Sequence, residues 1–345
     1  MASQINRRLL LTGAAASLSA PYLASRASRA EAPLQLRCSL DTAPSHGRNV
    51  SFADFLKKFE AASEGRVKTE LFSSGQLFPD LEVGKALIQG QVEMASPGAW
   101  AISGIIPNAE LFQLAVMYGQ DVSVVQKVID GRAGEVVAGD IGQRLRSRVI
   151  GKWLTLGYQN LYSTSHPLNS LADLKGLKVR SPGGAGNAWR TRFEGAIPNT
   201  TAWPAVPLAL SQGTFDALIS TDESLVSSKL YEAGIKYSLA DHEWVGEYIP
   251  MVSLTFWNKL SPDLQQKMTE IWEQNIGQYR QNMLGLQSKA RGVLIDHGVK
   301  IVDPSAADIA DLRNRMMAQQ DDQAKELKVS PELVKLVNAD ASAGS

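Results

Sequence analysis

The sequence is poor in most of the residues from which protein chemistry is built. Cys38 is the single cysteine in 345 residues, so no internal disulfide frames the fold. The four histidines, His46, His166, His242 and His297, lie far apart. No His-x-x-x-His or Cys-x-x-Cys spacing offers a zinc site, and neither a metal nor a cofactor is expected. A Gly-x-Ser-x-Gly elbow and a Walker loop are both missing. Basic and acidic residues number 35 each, and a chain without a basic excess is no candidate for nucleic-acid binding. Beyond the N-terminus no segment is long and apolar enough to span a bilayer. What remains is a chain 44% hydrophobic, which suits about two folded domains with their own cores.

Residues 1–30 contain Arg7, Arg8, Arg26 and Arg29 and no acid. The paired arginines lead into Leu9-Leu10-Leu11 and an apolar stretch that runs to Ala24. A charged start, a short apolar core and a small-residue exit near Ala27 or Ala30 make a secretory signal. The Arg-Arg-Leu run is twin-arginine-like, which implies export after folding; an ordinary secretory signal is the alternative. The mature protein is therefore expected in the periplasm, without a membrane span. Removing residues 1–30 leaves 31 basic against 35 acidic residues, a net charge of −4. An anionic ligand must then be held by local groups rather than drawn by overall charge.

Along the mature chain, Leu34 to Leu40 alternates apolar and polar residues, the period of a half-buried strand. Ser51 with Asp54 reads as a capping box opening a helix. Phe52, Phe55, Leu56 and Phe59 share one face of that helix. Gly65 stops it, and Val67, Thr69 and Leu71 alternate through a second strand. A helix over about 80–89 ends at Gly90, and Val92 and Met94 begin a third strand. This is the pattern of an α/β domain with a parallel sheet. The second half repeats it, with a short capped helix from Ser170 to Lys175, a strand at 177–180, a helix over about 187–195 and strands near 199–202 and 215–220. Gln89-Gly90 and Gln212-Gly213 echo each other as helix stops. From Ser261-Pro262 to about His297 runs a helical stripe that includes Leu264, Met268, Trp272, Tyr279 and Met283. It is either one helix of about 50 Å lying across both domains or two helices broken near Gly285 or Gly292.

Gly183-Gly184-Ala185-Gly186 follows a strand and opens a helix, but Trp189 stands where a dinucleotide fingerprint needs a small residue. Nucleotide binding is not expected. The loop still allows backbone to approach an anionic ligand closely. Carboxylates are plentiful, yet sequence alone places no pair in one cleft, so the chain does not read as an enzyme.

Three segments carry a resemblance. They are Phe72-Ser73-Ser74-Gly75-Gln76-Leu77, Asp173 to Pro182 with its Lys-Gly-Leu-Lys-Val-Arg core, and Ala209-Leu210-Ser211-Gln212-Gly213-Thr214-Phe215-Asp216. In order and spacing they resemble the periplasmic solute-binding proteins of TRAP transporters, the C4-dicarboxylate-binding (DctP) type, over about residues 34–320. The resemblance implies a two-domain α/β periplasmic binding protein of type II-like build, with a ligand cleft, crossing strands near 150–163 and 245–256, and a long helix spanning both domains. The expected division is a signal peptide at 1–30, domain I from 31–157 plus 246–285, domain II from 158–245 plus 286–335, and a flexible tail at 336–345. The implied function is capture of an organic acid by domain closure and delivery to two integral membrane permease subunits.

The same resemblance makes Arg180 the partner of the ligand carboxylate, through a bidentate guanidinium contact. Trp203, Ser220, Thr221 and Glu223 are expected around the ligand from the second domain, and His46, Gln76 and Trp100 from the first. Two departures stand out. Ser220 occupies the place of a common asparagine. The stretch Gly157 to Tyr162 carries Gln159 and Asn160 where many members have a second basic residue. One arginine with amides and aromatics favours a monocarboxylate over a dicarboxylate. A solute-binding protein of an ATP-driven transporter, and a periplasmic enzyme on the same scaffold, are the alternatives.

Overall fold

The computed structural model describes residues 32–342; the expected signal segment 1–30 lies outside them. The chain first lays down β1 (Leu34–Ser39), β2 (Val67–Phe72), β3 (Met94–Ala95) and β4 (Ser147–Val149). It crosses on β5 (Leu154–Ser163) and builds β6 (Lys178–Ser181), β7 (Ile197–Thr200) and β8 (Ala217–Ser220). It returns on β9 (Tyr237–Tyr248) and finishes with β10 (Met251–Ser253) and β11 (Lys300–Val302). Two sheets result, ordered β2-β1-β3-β10-β4 in the first lobe and β11-β9-β5-β8-β6-β7 in the second.

The strands joined by helices pair in parallel, as the alternating pattern predicts: β1 with β2 and β3, β6 with β7 and β8. The strands that arrive from the other lobe run against them, so both sheets are mixed. β5 and β9 form one long antiparallel ribbon, from Leu154 opposite Tyr248 to Ser163 opposite Tyr237. The return crossing therefore starts at Tyr237, earlier than the expected 245. Gly90 and Gly213 both adopt left-handed backbone, with φ of 68° and 65°, as a helix stop requires.

The first helix starts earlier than its sequence signal. It spans Gly47–Ala62, and its N-cap is His46, whose Nδ1 accepts from the Arg48 N–H at 3.1 Å. Ser51 lies a turn inside and donates back to the Gly47 carbonyl. Asp54 binds Lys58 and Tyr279 instead of closing a capping box.

The Pro262–Asp296 helix is continuous over 35 residues. Gly285 and Gly292 do not break it, because both sit on its exposed side with no neighbour to force a bend. Trp272 packs on Phe52 and Phe55 of the first lobe, its Nε1 donating to the Lys152 carbonyl at 2.7 Å. Farther on, Leu294 is buried in the second lobe's core. One rigid rod thus touches both lobes.

The C-terminal part departs from the expected division. The segment Pro331–Ser342, expected mostly as a flexible tail, is a helix whose Leu333, Val337 and Ala341 are buried in the first lobe's core. Gln320 and Gln323 accept from the Val116 and Ala115 N–H groups. Apolar residues every third or fourth position along the final helix make this return to the first lobe favourable.

The ribbon holds a seam of buried acids. Asp241, Glu243 and Glu247 on β9 are fully buried. Burial pushes the Glu243 carboxyl up to about 7, against the opposing pull of Arg190, and raises Asp241 and Glu247 well above the carboxylate range. The folded protein therefore keeps protons that the unfolded chain releases above about pH 4. This contribution is complete at low pH and lost as pH rises through about 7. The melting temperature is expected to be higher at about pH 5.5 than at about pH 8, with Glu247→Gln reducing the difference. Differential scanning calorimetry giving equal or reversed midpoints would contradict it.

Candidate ligand-binding site

The two lobes meet around a small cavity, of about 30 Å³, at the C-terminal ends of the parallel strands. Asp41 and Thr42 follow β1, Arg180 lies near the end of β6, and Ser220 ends β8. Strand ends at a change of strand order are where α/β sheets leave space for ligands. Asp80, Trp100, Gln159, Trp203, Ser224 and Tyr248 complete the functional part of the wall.

Arg180 is 2% exposed. Its Nε and Nη2 donate to the Thr201 carbonyl at 2.9 and 2.8 Å, and Nη1 donates to the Ile219 carbonyl at 3.1 Å. Every acceptor is a neutral carbonyl, and among the described residues no carboxylate pairs with this guanidinium. Burial lowers its pKa to about 10, while Asp41 and Tyr248 pull the other way, so it stays cationic at neutral pH. Of five guanidinium N–H groups, one on each terminal nitrogen is left for a ligand. The Trp203 ring lies 5.4 Å from its Cζ and backs the group on one side.

A second buried arginine, which sequence reasoning missed, is held by two acids of the wall. Arg48 is fully buried and pairs with Asp41 at 2.5 Å and Asp80 at 2.8 Å. It also donates to the Ser96 carbonyl and to Thr42 Oγ1, and its Cζ lies 4.0 Å from the Tyr248 ring centroid. Four of its five N–H groups are thus committed inside the protein. Burial opposes its charge, but Asp80, Tyr248 and Asp41 hold its pKa above the usual arginine value. Trp100 and Tyr248 form the apolar side of the cavity, Trp100 braced edge-on by Trp244 at 5.1 Å.

The structure brings Arg180, Trp203, Ser220, Gln159 and Trp100 to this one cavity. The other expected residues lie outside its wall, each for a local reason. Thr221 caps the Asp222–Ser227 helix, accepting from the Ser224 N–H. Asn160 accepts from the His242 N–H across the β5–β9 bulge. Gln76 is exposed in the turn after β2. His46 and Glu223 meet each other: His46 Nε2 lies 2.7 Å from Glu223 Oε2, and the Gly47 N–H donates to Glu223 Oε1. They join the lobes rather than face the cavity. The Gly183–Gly186 loop also finds an internal anion, because the Ala185 and Gly186 N–H groups donate to Glu110 of the first lobe.

The His46–Glu223 contact is buried, and its partners stand on opposite lobes. Glu223→Gln is expected to weaken binding of an organic acid by about threefold to tenfold, by favouring the open state. Stopped-flow dissociation reads this directly; an unchanged off-rate would show that the contact contributes nothing to closure.

Asp41, Asp80 and Ser224 had one readable signal each, a position just past a strand or at the start of a helix, and Tyr248 closes β9. Arg48 had none, since no periodic pattern joins it to Asp41 before it or to Asp80 well after it. The sequence profile of the bacterial extracellular solute-binding protein family 7 (DctP) matches residues 41–326. The chain belongs to this family. It is 27% identical over 272 residues to the C4-dicarboxylate-binding periplasmic protein DctP of Rhodobacter capsulatus, covering 76% of this chain and 77% of that one. The sugar acid binding protein DctPAm of Advenella mimigardefordensis, solved with galactonate, has the same fold. Its TM-score is 0.84 at 21% identity, covering 91% of this chain and 99% of that one. A TRAP periplasmic solute-binding protein of Shewanella oneidensis, solved with succinate, superposes with a TM-score of 0.82 at 20% identity, covering 90% and 100%. Among the described residues no helix is long and apolar enough to cross a membrane.

Proposed function

We propose that this chain is the periplasmic solute-binding component of a TRAP transporter. It captures an organic monoacid between its lobes and delivers it to integral membrane permease subunits. The observation that carries this reading is Arg180, a buried cation that no carboxylate contacts among the described residues and that keeps one free N–H on each terminal nitrogen. A carboxylate is the group that fits such a fork. The segment at 1–30 would direct export, and domain closure would bury the ligand.

The relatives named above are described with both dicarboxylates and a sugar acid, so their names do not fix the ligand's charge. The residues of the cavity favour one carboxylate. Sequence reasoning favoured a monoacid because it found no second cation near the cleft. A second cation is present, but Arg48 is already shared between two acids, Asp41 and Asp80, and is not free for a ligand. A second ligand carboxylate beside those two acids would find no free cation, and burying it would cost several kcal/mol. Asp41 and Asp80 also form the convergent acid pair that a hydrolytic enzyme would need. Their pairing to Arg48 supports binding without turnover.

Thermal shift against a panel of organic acids tests the reading. A ligand present at about 100 times its dissociation constant stabilises by about 2.7 kcal/mol, enough to raise the melting point by several degrees. A monoacid is expected to give the largest shift and to be recovered unchanged. A flat response across the panel would overturn acid binding, and succinate or malate as the strongest ligand would overturn the preference for one charge.

A further inference from the structure

We infer that Glu194, Asp241 and Glu243 form a calcium site, separate from the ligand cavity. The site goes beyond the transport reading and does not depend on it. Sequence spacing led to no metal being expected, but it tests only ligands close together in the chain.

The cluster arises where the β5–β9 ribbon is interrupted. Gln159 pairs with Trp244 and Leu161 with Leu239, so residues 240–243 all stand opposite Asn160. His242 turns within this excursion with a φ of 53°, a conformation uncommon outside glycine. Asp241 and Glu243 flank it and meet Glu194, the C-cap of the Ala185–Phe193 helix. One carboxylate oxygen from each acid lies within 4.8 Å of the other two. Asp241 and Glu243 are fully buried.

Two further observations point to a cation. The first is that Glu243 is aimed into the cluster with neither oxygen accepting a hydrogen bond among the described residues. Arg190 Nη1 stops 3.7 Å short of it, and the Trp244 indole N–H also finds no acceptor. Asp241 Oδ1 and Glu194 Oε1 are unpartnered too, while Tyr118 serves only the other oxygen of Asp241, at 2.8 Å. The second is charge. Arg190 is the cation that opposes the raised carboxyls of all three acids. One guanidinium against three carboxylates leaves two negative charges, and a buried charge must be paired. A divalent cation supplies that balance. In cation-free protein the acids keep the protons described above.

Oxygen ligands alone select a hard ion. Calcium sits about 2.3–2.6 Å from its oxygens, so opposite ligands stand about 4.6–5.2 Å apart, and three oxygens this close can share one ion. Magnesium usually keeps several waters, which suits a less buried cluster. A cavity of about 260 Å³ reaches Tyr118 and Asp241 and gives an ion its way in. It shares no lining residue with the ligand cavity.

Equilibrium dialysis of the full chain against calcium, after chelator treatment and without organic acid, tests the site. One ion per chain is expected, with a dissociation constant of about 10⁻³ M or tighter, as in extracellular calcium modules. Glu243→Gln is expected to weaken binding by about tenfold or more, since ligand charge sets affinity. Glu247→Gln, also buried on β9 but outside the cluster, should leave it unchanged. No binding at about 10 mM calcium would overturn the inference, as would equal losses in the two variants or tighter binding of magnesium. Each of these failures leaves the organic-acid reading intact, because no acid is present.

Discussion

Arg180→Ala is expected to reduce affinity for the preferred acid by about two to four orders of magnitude, about 3–5 kcal/mol. The size of the effect follows from burial. In the closed cleft a ligand carboxylate loses water, and Arg180 is the buried cation with donors free to replace it. Without that fork the carboxylate is desolvated and unpaired. Arg180→Lys keeps the charge but offers a compact ammonium in place of two parallel N–H groups. Its affinity should fall between the two. Isothermal titration calorimetry measures all three proteins, and circular dichroism melting of the unliganded forms separates binding from folding. If Arg180 served mainly to hold the Thr201 and Ile219 carbonyls, stability would fall as far as affinity. Near-normal affinity in Arg180→Ala would remove it from the site altogether.

Arg48→Ala should harm both folding and binding. Arg48 is the counter-ion of two buried acids, and its removal leaves them facing each other and the cavity. Breaking a buried pair in this way costs about 3–5 kcal/mol at neutral pH. The loss should shrink as pH falls, because Asp80, already raised to about 7 beside Arg48, takes up a proton more readily once Arg48 is gone. Adding Asp80→Asn to Arg48→Ala should restore part of the stability, a coupling that a double-mutant cycle isolates. Binding should suffer too, since an incoming carboxylate would approach two uncompensated acids. Urea denaturation checks the first part; a loss below about 1 kcal/mol would show that Arg48 is solvated rather than paired.

How much of this was legible depended on the range of the interactions. Local signals read well. The apolar stripe of the Gly47–Ala62 helix, the glycine stops at Gly90 and Gly213 and the helical stripe from Leu264 onward each follow from a short periodic pattern. Arg180 was legible because it sits within a contiguous motif next to a strand end. The partners of Arg48 lie before and well after it in the chain, Asp41 just past β1 and Asp80 at the start of a helix, and no local pattern joins them. Glu223 looked like a cleft residue because it follows β8. Its partner His46 belongs to the other lobe, and only the closed arrangement of the lobes reveals the contact. The final helix looked like a tail because alanine, glycine and serine near the terminus obscure the apolar face formed by Leu333, Val337 and Ala341. Long-range electrostatics and returning segments are what a single sequence conceals.

The central claim is that Arg180 holds one ligand carboxylate and that no second cation of the cavity is free for another. Calorimetric titration with 4-hydroxybutyrate and succinate tests it most directly, because the four-carbon chains match and one carboxylate is exchanged for a hydroxymethyl group. The account predicts that 4-hydroxybutyrate binds more tightly by about a hundredfold or more. Tighter binding of succinate would contradict it, and would mean that Arg48 leaves Asp41 and Asp80 to receive a second carboxylate.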